Sequence, residues 1–138
     1  MNRLVILDNE AVQALADPSH PKHRRVMSHV QLAKLRKQRA AYTTLAVPTA
    51  VRVEAGWDRT SPMWAFLNRL KIGDAHLDAD QANLAASIRK KDAGISVADA
   101  HVGAVVQASP APELVVLTSD PGGIRRVAGD KKISIVTI

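Results

Sequence analysis

The sequence predicts an α/β fold built on a mainly parallel sheet. Short runs rich in Val, Ile and Leu alternate along the chain with longer segments of helical periodicity. The first of these runs and one late in the chain are apolar without polar alternation, which is typical of strands buried on both faces of a parallel sheet. A length of 138 residues is that of a single domain, and no linker or repeat divides residues 1–138.

Four strands are predicted from runs of aliphatic and β-branched residues. They are Leu4–Leu7, Tyr42–Val47, Leu114–Leu117 and Ile133–Ile138.

Six helices are predicted between and beside these strands. A proline opens the second of them and Gly56 follows its end, while Ser96 and Asp99 form a Ser-x-x-Asp capping box at the start of the fifth. The predicted helices are His23–Arg39, Pro48–Ala55, Pro62–Leu70, Asp78–Lys91, Ser96–Ala108 and Gly122–Ala128.

The composition excludes several classes of protein. Apolar residues make up 46% and charged residues 23%, as in ordinary globular domains, and the absence of cysteine excludes disulfides, thiolate metal sites and thiol catalysis. The apolar run Leu4–Leu7 stops at Asp8 and is too short for a signal peptide or a membrane span. We therefore expect a cytoplasmic protein.

The charge is basic and unevenly distributed. Nineteen Lys and Arg against thirteen Asp and Glu give +6, and no acid lies between Asp17 and Glu54. Such a surface attracts nucleic acid or an acidic protein segment, although a solvated basic helix accounts for it equally well. The candidate contacts are Arg25, Arg36 and Arg52. Aromatic residues are only 3% of the chain, which argues against a base-stacking platform.

Two acids follow predicted strands. Asp8 comes directly after the first strand, and Asp120 comes shortly after Leu114–Leu117. Ligands of open α/β sheets bind beyond the carboxyl ends of the strands, so both acids lie where a site is expected. The alternative for each is a purely structural role as the N-cap of the following helix.

Two further acids lie on predicted helices. By helical spacing, Asp99 and Glu54 both continue an apolar stripe, where a carboxylate needs a partner. The alternative for Asp99 is a role in the capping box with Ser96. The alternative for Glu54 is a rim position paired with Arg52 or with a distant basic residue.

Convergence of these acids would require a counter-charge. Two carboxylates about 4 Å apart repel by roughly 4 kcal/mol at an effective dielectric constant near 20. Oxygen ligands favour Mg²⁺ or Mn²⁺, and such ions serve phosphodiester hydrolysis. An acidic metal site inside a basic protein suits a nucleic-acid backbone as substrate.

Four segments in this order resemble the acidic motifs of the PIN domain family, and the closest likeness by size is to VapC-type toxins. They are Leu4-Val-Ile-Leu-Asp8-Asn9, Glu54, Ile95-Ser96-Val97-Ala98-Asp99-Ala100 and Leu117-Thr118-Ser119-Asp120. The resemblance covers the whole chain. It implies a PIN-like three-layer α/β/α fold with a central, mainly parallel sheet of four to five strands.

The same resemblance implies a function and a site. It implies a Mg²⁺- or Mn²⁺-dependent endoribonuclease, the toxin of a type II toxin–antitoxin pair, with RNA as substrate. The catalytic acids would be Asp8, Glu54, Asp99 and Asp120, and Asp8, Asp99 and Asp120 would bind the metal, with Asn9 and Ser119 in supporting positions. The alternative is a non-catalytic PIN-like module that binds nucleic acid or regulates another protein.

The resemblance also implies a homodimer and a cognate antitoxin that covers the acidic cavity. Trp57, Met63, Trp64 and Phe66 are candidate interface anchors, unless they fold back onto the sheet. We expect His101 to be a surface or interface residue.

Overall fold

The computed structural model describes residues 2–37 and 42–138, and in these residues five parallel strands form one sheet in the order β3-β2-β1-β4-β5. All four strand pairings are parallel. The strands are β1 (Arg3–Leu7), β2 (Thr43–Pro48), β3 (Gly73–Ala75), β4 (Glu113–Thr118) and β5 (Ser134–Thr137).

Helices connect successive strands. They are α1 (Asn9–Ala16), α2 (His23–Lys37), α3 (Thr49–Ala55), α4 (Ala65–Asn68, preceded by a 3₁₀ turn at Pro62–Trp64), α5 (Ala79–Lys91), α6 (Val97–Ala108) and α7 (Pro121–Ala128). None of the described helices is both long and apolar enough to cross a membrane.

The strand order places helices on both faces of the sheet. The chain moves from β1 through β2 to β3 towards one edge, and then crosses to β4 and β5 on the other side of β1. Because crossover connections are right-handed, opposite directions of travel put the connecting helices on opposite faces. Accordingly, α1 packs on α2, while α6 packs on both α5 and α7. The predicted three-layer arrangement around a parallel sheet is confirmed.

The core lies on the central strands. Ile6 and Leu7 of β1 and Val116 of β4 are fully buried, as expected for strands covered on both faces. In the layer that contains α6 and α7, these two helices pack closely at Gly103 of α6. A Cβ added there would come within 2.6 Å of the Cβ of Val127 on α7.

The four predicted strands are confirmed, but β3 was not predicted. Its three residues, Gly-Asp-Ala, lack the β-branched and aromatic side chains that mark strands. Its central residue, Asp74, forms ion pairs with Arg52 at 2.9 Å and with Arg59 at 2.7 Å. Tertiary ion pairs, which no local pattern indicates, therefore support this edge strand.

The six predicted helices also occur, with boundaries shifted by one to a few residues, but α1 was not predicted. It has only eight residues, and it begins at the side-chain cap supplied by Asp8, with Val12 and Leu15 buried beneath it. The long basic helix runs from His23 to Lys37, and the last two residues of the range predicted for it lie outside the described residues.

The aromatic stretch divides between core and surface. Trp57 is buried, stacks on Trp64 with ring centroids 6.2 Å apart, and donates a hydrogen bond to Asn68 at 2.9 Å. Met63 remains 89% exposed and Phe66 40% exposed. The tryptophans thus fold back onto the domain, and the other two side chains remain available at the surface.

The expectation that His101 lies at a surface is wrong, because its side chain is fully buried between α6 and α3. Its Nδ1 accepts a hydrogen bond from the backbone N–H of Ala50 at 3.3 Å. Burial lowers the pKa of His101, while the nearby backbone of His76 and the charge of Asp78 oppose this effect. A neutral His101 therefore ties the first turn of α3 to α6.

Candidate active site at the carboxyl edge of the sheet

The register of the two central strands brings the predicted acids to one edge. β1 pairs with β4 so that Leu7 lies opposite Leu117. Asp8 therefore leaves the sheet beside Thr118, and Asp120 follows two residues later. Asp99 reaches the same region from the first turn of α6.

Asp8 is a buried carboxylate held by two hydrogen-bond donors. Asp8 is 7% exposed. Its Oδ1 accepts a hydrogen bond from the backbone N–H of Ala11 at 3.0 Å, and this bond caps α1. Burial raises the pKa of Asp8, and the negative charges of Asp99 and Glu10 add to this effect. The hydrogen bonds from the Thr118 hydroxyl and from the Ala11 N–H act in the opposite direction without cancelling it.

Thr118 connects the two acids that follow the strands. Its buried hydroxyl donates to the carboxylate of Asp8 and accepts the backbone N–H of Asp120 at 2.9 Å. Its own carbonyl accepts the N–H of Ile138 at 2.9 Å. Sequence reasoning missed this residue, although a threonine ending a buried strand is a detectable signal.

Asn9 and Ser119, the two residues predicted to support the acids, have different surroundings in the structure. The Oδ1 of Asn9 accepts a long hydrogen bond, 3.5 Å, from Gln13 within α1. Ser119 is exposed and makes no hydrogen bond through its side chain in the described part of the chain. The hydroxyl that contacts the acids belongs to the preceding residue, Thr118, because successive residues of an extended segment point in opposite directions.

Asp99 is half-buried at the N-terminus of α6. The Ser96 hydroxyl accepts its backbone N–H at 3.1 Å and also bonds its carboxylate, so the predicted capping box is present in part. Burial raises the pKa of Asp99, the Ser96 hydroxyl opposes this, and the negative charge of Asp120 adds to the rise. Asp99 therefore interacts electrostatically with both acids that follow the strands.

Asp120 is exposed and caps α7. Its Oδ1 accepts the N–H of Gly123 at 3.0 Å, and Pro121 occupies the first turn of the helix. A Cβ at Gly123 would overlap the Asp120 carboxylate, whereas one at Gly122 would meet it only at 3.9 Å. The absence of a side chain at position 123 therefore leaves the space that this carboxylate occupies.

The donor set fits an oxygen-preferring divalent cation in charge and ligand type. Three carboxylates lie at one sheet edge, and none of them is in a salt bridge with another described residue. Within the described residues, however, no group of three or more acidic, histidine or cysteine side chains is arranged so that it could hold a metal ion. Asp8 and Asp120 instead use carboxylate oxygens to cap helices.

Glu54 does not continue an apolar stripe as expected, because α3 has only seven residues and buries only Val51. Its side chain is exposed and has no hydrogen bond or ion pair among the described residues. It makes no contribution to the pKa shifts of Asp8 or Asp99, where Glu10 and Asp120 act instead. The structure thus brings together three of the four predicted acids.

Glu54 lies on the wall of a separate open groove of about 480 Å³ between α3 and the start of α6. Val53, Leu77 and Val97 line this groove and are 82%, 37% and 50% exposed. The groove is therefore an apolar surface beside the acidic edge.

The three arginines predicted to contact nucleic acid or an antitoxin also differ in their surroundings. Arg25 is exposed on α2, and the side chain of Arg36 lies outside the described side chains. Arg52 pairs with Asp74 and also donates to the backbone carbonyl of Trp57 at 3.3 Å. Its guanidinium is therefore engaged inside the domain.

No family model and no curated protein matches this chain. One solved structure of similar fold is described as the crystal structure of VapBC2 from Rickettsia felis bound to a DNA fragment from their promoter. The TM-score is 0.59, the match covers 96% of this chain and 98% of that chain, and the sequences are 10% identical. At this identity the likeness concerns the fold alone, and the predicted PIN-like fold is confirmed.

Proposed function

We propose that this chain is a metal-dependent endoribonuclease and the toxin component of a type II toxin–antitoxin pair. The observation that carries the proposal is the grouping of Asp8, Asp99 and Asp120 at the carboxyl edge of a parallel sheet, with Thr118 bonded to two of them. Ligand sites of such sheets lie at this edge.

Asp8, Asp99 and Asp120 would hold one or two Mg²⁺ or Mn²⁺ ions. Such an ion supplies acidification of a water molecule and stabilisation of negative charge on the leaving oxygen. The proposed reaction is hydrolysis of an RNA phosphodiester by water, without a covalent enzyme intermediate. Glu54, which is exposed on the neighbouring groove, is proposed only as a substrate-side or rim acid.

The described residues prepare this site in two ways. The Ala11 N–H and the Thr118 hydroxyl fix the Asp8 carboxylate, so it does not need to be ordered when a cation or substrate arrives. The excess of six positive charges over the chain attracts the RNA backbone to the protein. Arg25 and the rest of the exposed side of α2 are the first candidates for contact with RNA or with an antitoxin.

An antitoxin partner is proposed from the same features. The structural neighbour described above is a VapBC2 complex bound to promoter DNA. An inhibitor that places Arg or Lys on the three carboxylates would satisfy their charge without enabling cleavage. Co-expression with the product of a neighbouring short reading frame should give a stable complex, and the free chain alone under those conditions would count against the toxin role.

A homodimer is the second assembly we propose. Val53 and Met63 are among the most exposed large apolar side chains of the described residues, at 82% and 89%. Solution mass at micromolar concentration should be that of two chains, and the Val53→Asp and Met63→Asp variants should shift it towards one chain. A wild type that remains monomeric would exclude the dimer.

Cleavage of total RNA in Mn²⁺ and in excess chelator tests the enzymatic proposal. We expect cleavage in Mn²⁺ by the wild type, none in chelator, and none by Asp8→Asn in either condition. The alternative, a non-catalytic nucleic-acid-binding module, predicts RNA binding that persists in chelator with no cleavage under any condition. Cleavage by Asp8→Asn at the wild-type rate would show that the proposed acidic site does not carry out the reaction.

A further inference from the structure

A charged cavity lies at the opposite end of the sheet from the acids. It has a volume of about 570 Å³ and lies at the amino ends of β1, β4 and β5. We call it the basic cleft. Its charged lining residues are Arg3, Glu113, Arg125, Lys131 and Lys132.

The basic cleft has an excess of positive charge. The one carboxylate among the described lining residues, that of Glu113, forms an ion pair with Arg3 at 2.8 Å. Arg125, Lys131 and Lys132 are exposed, and within the described residues none of them is in a salt bridge. Three cations therefore face the cavity without a counter-charge from the described chain.

The loop that carries the two lysines is held in place. Gln107 donates a hydrogen bond to the carbonyl of Val127 at 2.8 Å, and its side chain packs against Gly129. Gly129 has φ +62°, which a residue with a side chain adopts only with strain. The N–H of Lys131 then bonds the carbonyl of Ala128 at 3.4 Å, which closes the turn.

We propose that the basic cleft binds phosphate groups of the RNA strand at a point remote from the cleaved bond. This inference rests on the proposed ribonuclease function for the identity of the strand. The five residues of β1 separate Arg3 from Asp8 by roughly 16 Å at about 3.3 Å per residue. At a stacked rise of about 3.4 Å per nucleotide, the two contacts are about five nucleotides apart.

The lining indicates contact with the backbone of the strand. Among the described residues no aromatic side chain lines the basic cleft, so they offer bases no stacking surface there. Lysine and arginine on an open, polar wall suit phosphate oxygens, which carry no sequence information. The cleft therefore contributes affinity for long RNA without sequence preference.

Salt-dependent RNA binding in excess chelator tests this inference, because no cleavage is required. The test variant is Arg125→Ala/Lys131→Ala/Lys132→Ala. The matched control, Arg69→Ala/Lys90→Ala/Lys91→Ala, removes the same residue types from exposed positions that do not line the cleft. Fluorescence anisotropy of labelled single-stranded RNAs of 5 and 20 nucleotides gives the affinity at each KCl concentration, and thermal unfolding checks that both variants fold.

We expect the slope of log affinity against log salt for the 20-nucleotide RNA to fall by about 2 in the test variant, at about 0.7 per lost phosphate contact. The double variant Lys131→Ala/Lys132→Ala should lose about two thirds of that. The slopes of the control variant should change little with either RNA.

Equal slopes for the test and control variants would overturn the inference. The proposed function is judged separately. Cleavage in Mn²⁺ with an unchanged slope would leave the ribonuclease without the basic cleft. A changed slope with no cleavage in Mn²⁺ would leave the cleft on a protein that only binds RNA.

Discussion

Asp8 shows how a single side chain can serve both the fold and the site. It caps α1 through the N–H of Ala11, yet its burial and the charge of Asp99 raise its pKa. Both interpretations of this residue from the sequence, helix cap and site acid, are therefore compatible. Because the folded state disfavours the charged form, this carboxylate reduces the stability of the folded protein at neutral pH.

Asp8→Asn should keep the fold and raise the unfolding midpoint at pH 7 in chelator. Asparagine retains the cap acceptor and removes the charge. A raised folded-state pKa means that the carboxylate lowers stability as pH rises above its ordinary value of 3.8, so the gain should disappear below that pH.

Thermal unfolding of wild type, Asp8→Asn and Asp8→Ala at pH 7 and pH 3 measures this effect. Asp8→Ala serves as the control that also loses the cap, worth about 1 kcal/mol. If Asp8→Asn proved as unstable as Asp8→Ala at pH 7, the charged carboxylate would be stabilising the fold, and the expected gain would be refuted.

Gly123 offers a test of the position of Asp120 that leaves every carboxylate in place. Gly123→Ala should displace the Asp120 carboxylate, because the new Cβ would overlap it, and should reduce RNA cleavage at least tenfold. Gly122→Ala is the matched control, since its Cβ would approach Asp120 only to 3.9 Å. Initial cleavage rates in Mn²⁺ compare the two, and equal rates would show that the position of Asp120 does not matter for the reaction.

At the scale of elements, local sequence patterns correctly predicted helix ends that depend on neighbouring capping residues. The Gly56 stop of α3 and the Ser96 cap of α6 are both present. The strand β3 was not predicted because the arginine pairs on Asp74 support it from distant parts of the chain. Glu54 was placed on an apolar face because helical spacing does not reveal that α3 is too short to have one.

The ion pairs on Asp74 should make the edge of the sheet sensitive to acid. Burial raises the pKa of Asp74, but the hydrogen bond and charge of Arg59, with the charge of Arg52, outweigh it and hold the pKa below 3.8. Stability from this group is therefore present above pH 3.8 and is lost as pH falls through the lower folded-state value.

Asp74→Asn should cost about 1–3 kcal/mol at pH 7, because two half-buried guanidinium groups lose a charged acceptor. Urea unfolding at pH 7 and pH 3 should show a smaller difference from the wild type at the lower pH. Asp80→Asn, at an exposed position of α5, controls for the loss of one acidic charge. A difference that did not shrink with acid would assign the effect to something other than these ion pairs.

For the molecule as a whole, the net positive charge follows directly from the sequence, but the positions of the charged residues in the fold were predicted only in part. Asp8 and Asp120 were expected at the carboxyl edge because they follow strands, and Asp99 and Glu54 were expected to join them from helices. The first three lie there, whereas Glu54 lies on the neighbouring groove. The basic cleft was not expected, because Arg125 and Lys132 come from a helix and a loop whose proximity depends on the packing of α7 beside β5. The result is a domain with an acidic carboxyl edge and a basic cleft at the opposite end.

Calorimetric titration of Mn²⁺ into the chelator-stripped protein tests the central claim most directly, namely that Asp8, Asp99 and Asp120 form one cation site. We predict saturable binding by the wild type and by Asp80→Asn, and a loss of at least tenfold in affinity in Asp99→Asn, whose charge acts on both of the other acids. Equal Mn²⁺ affinity in wild type and Asp99→Asn, or no saturable binding by the wild type, would contradict the account.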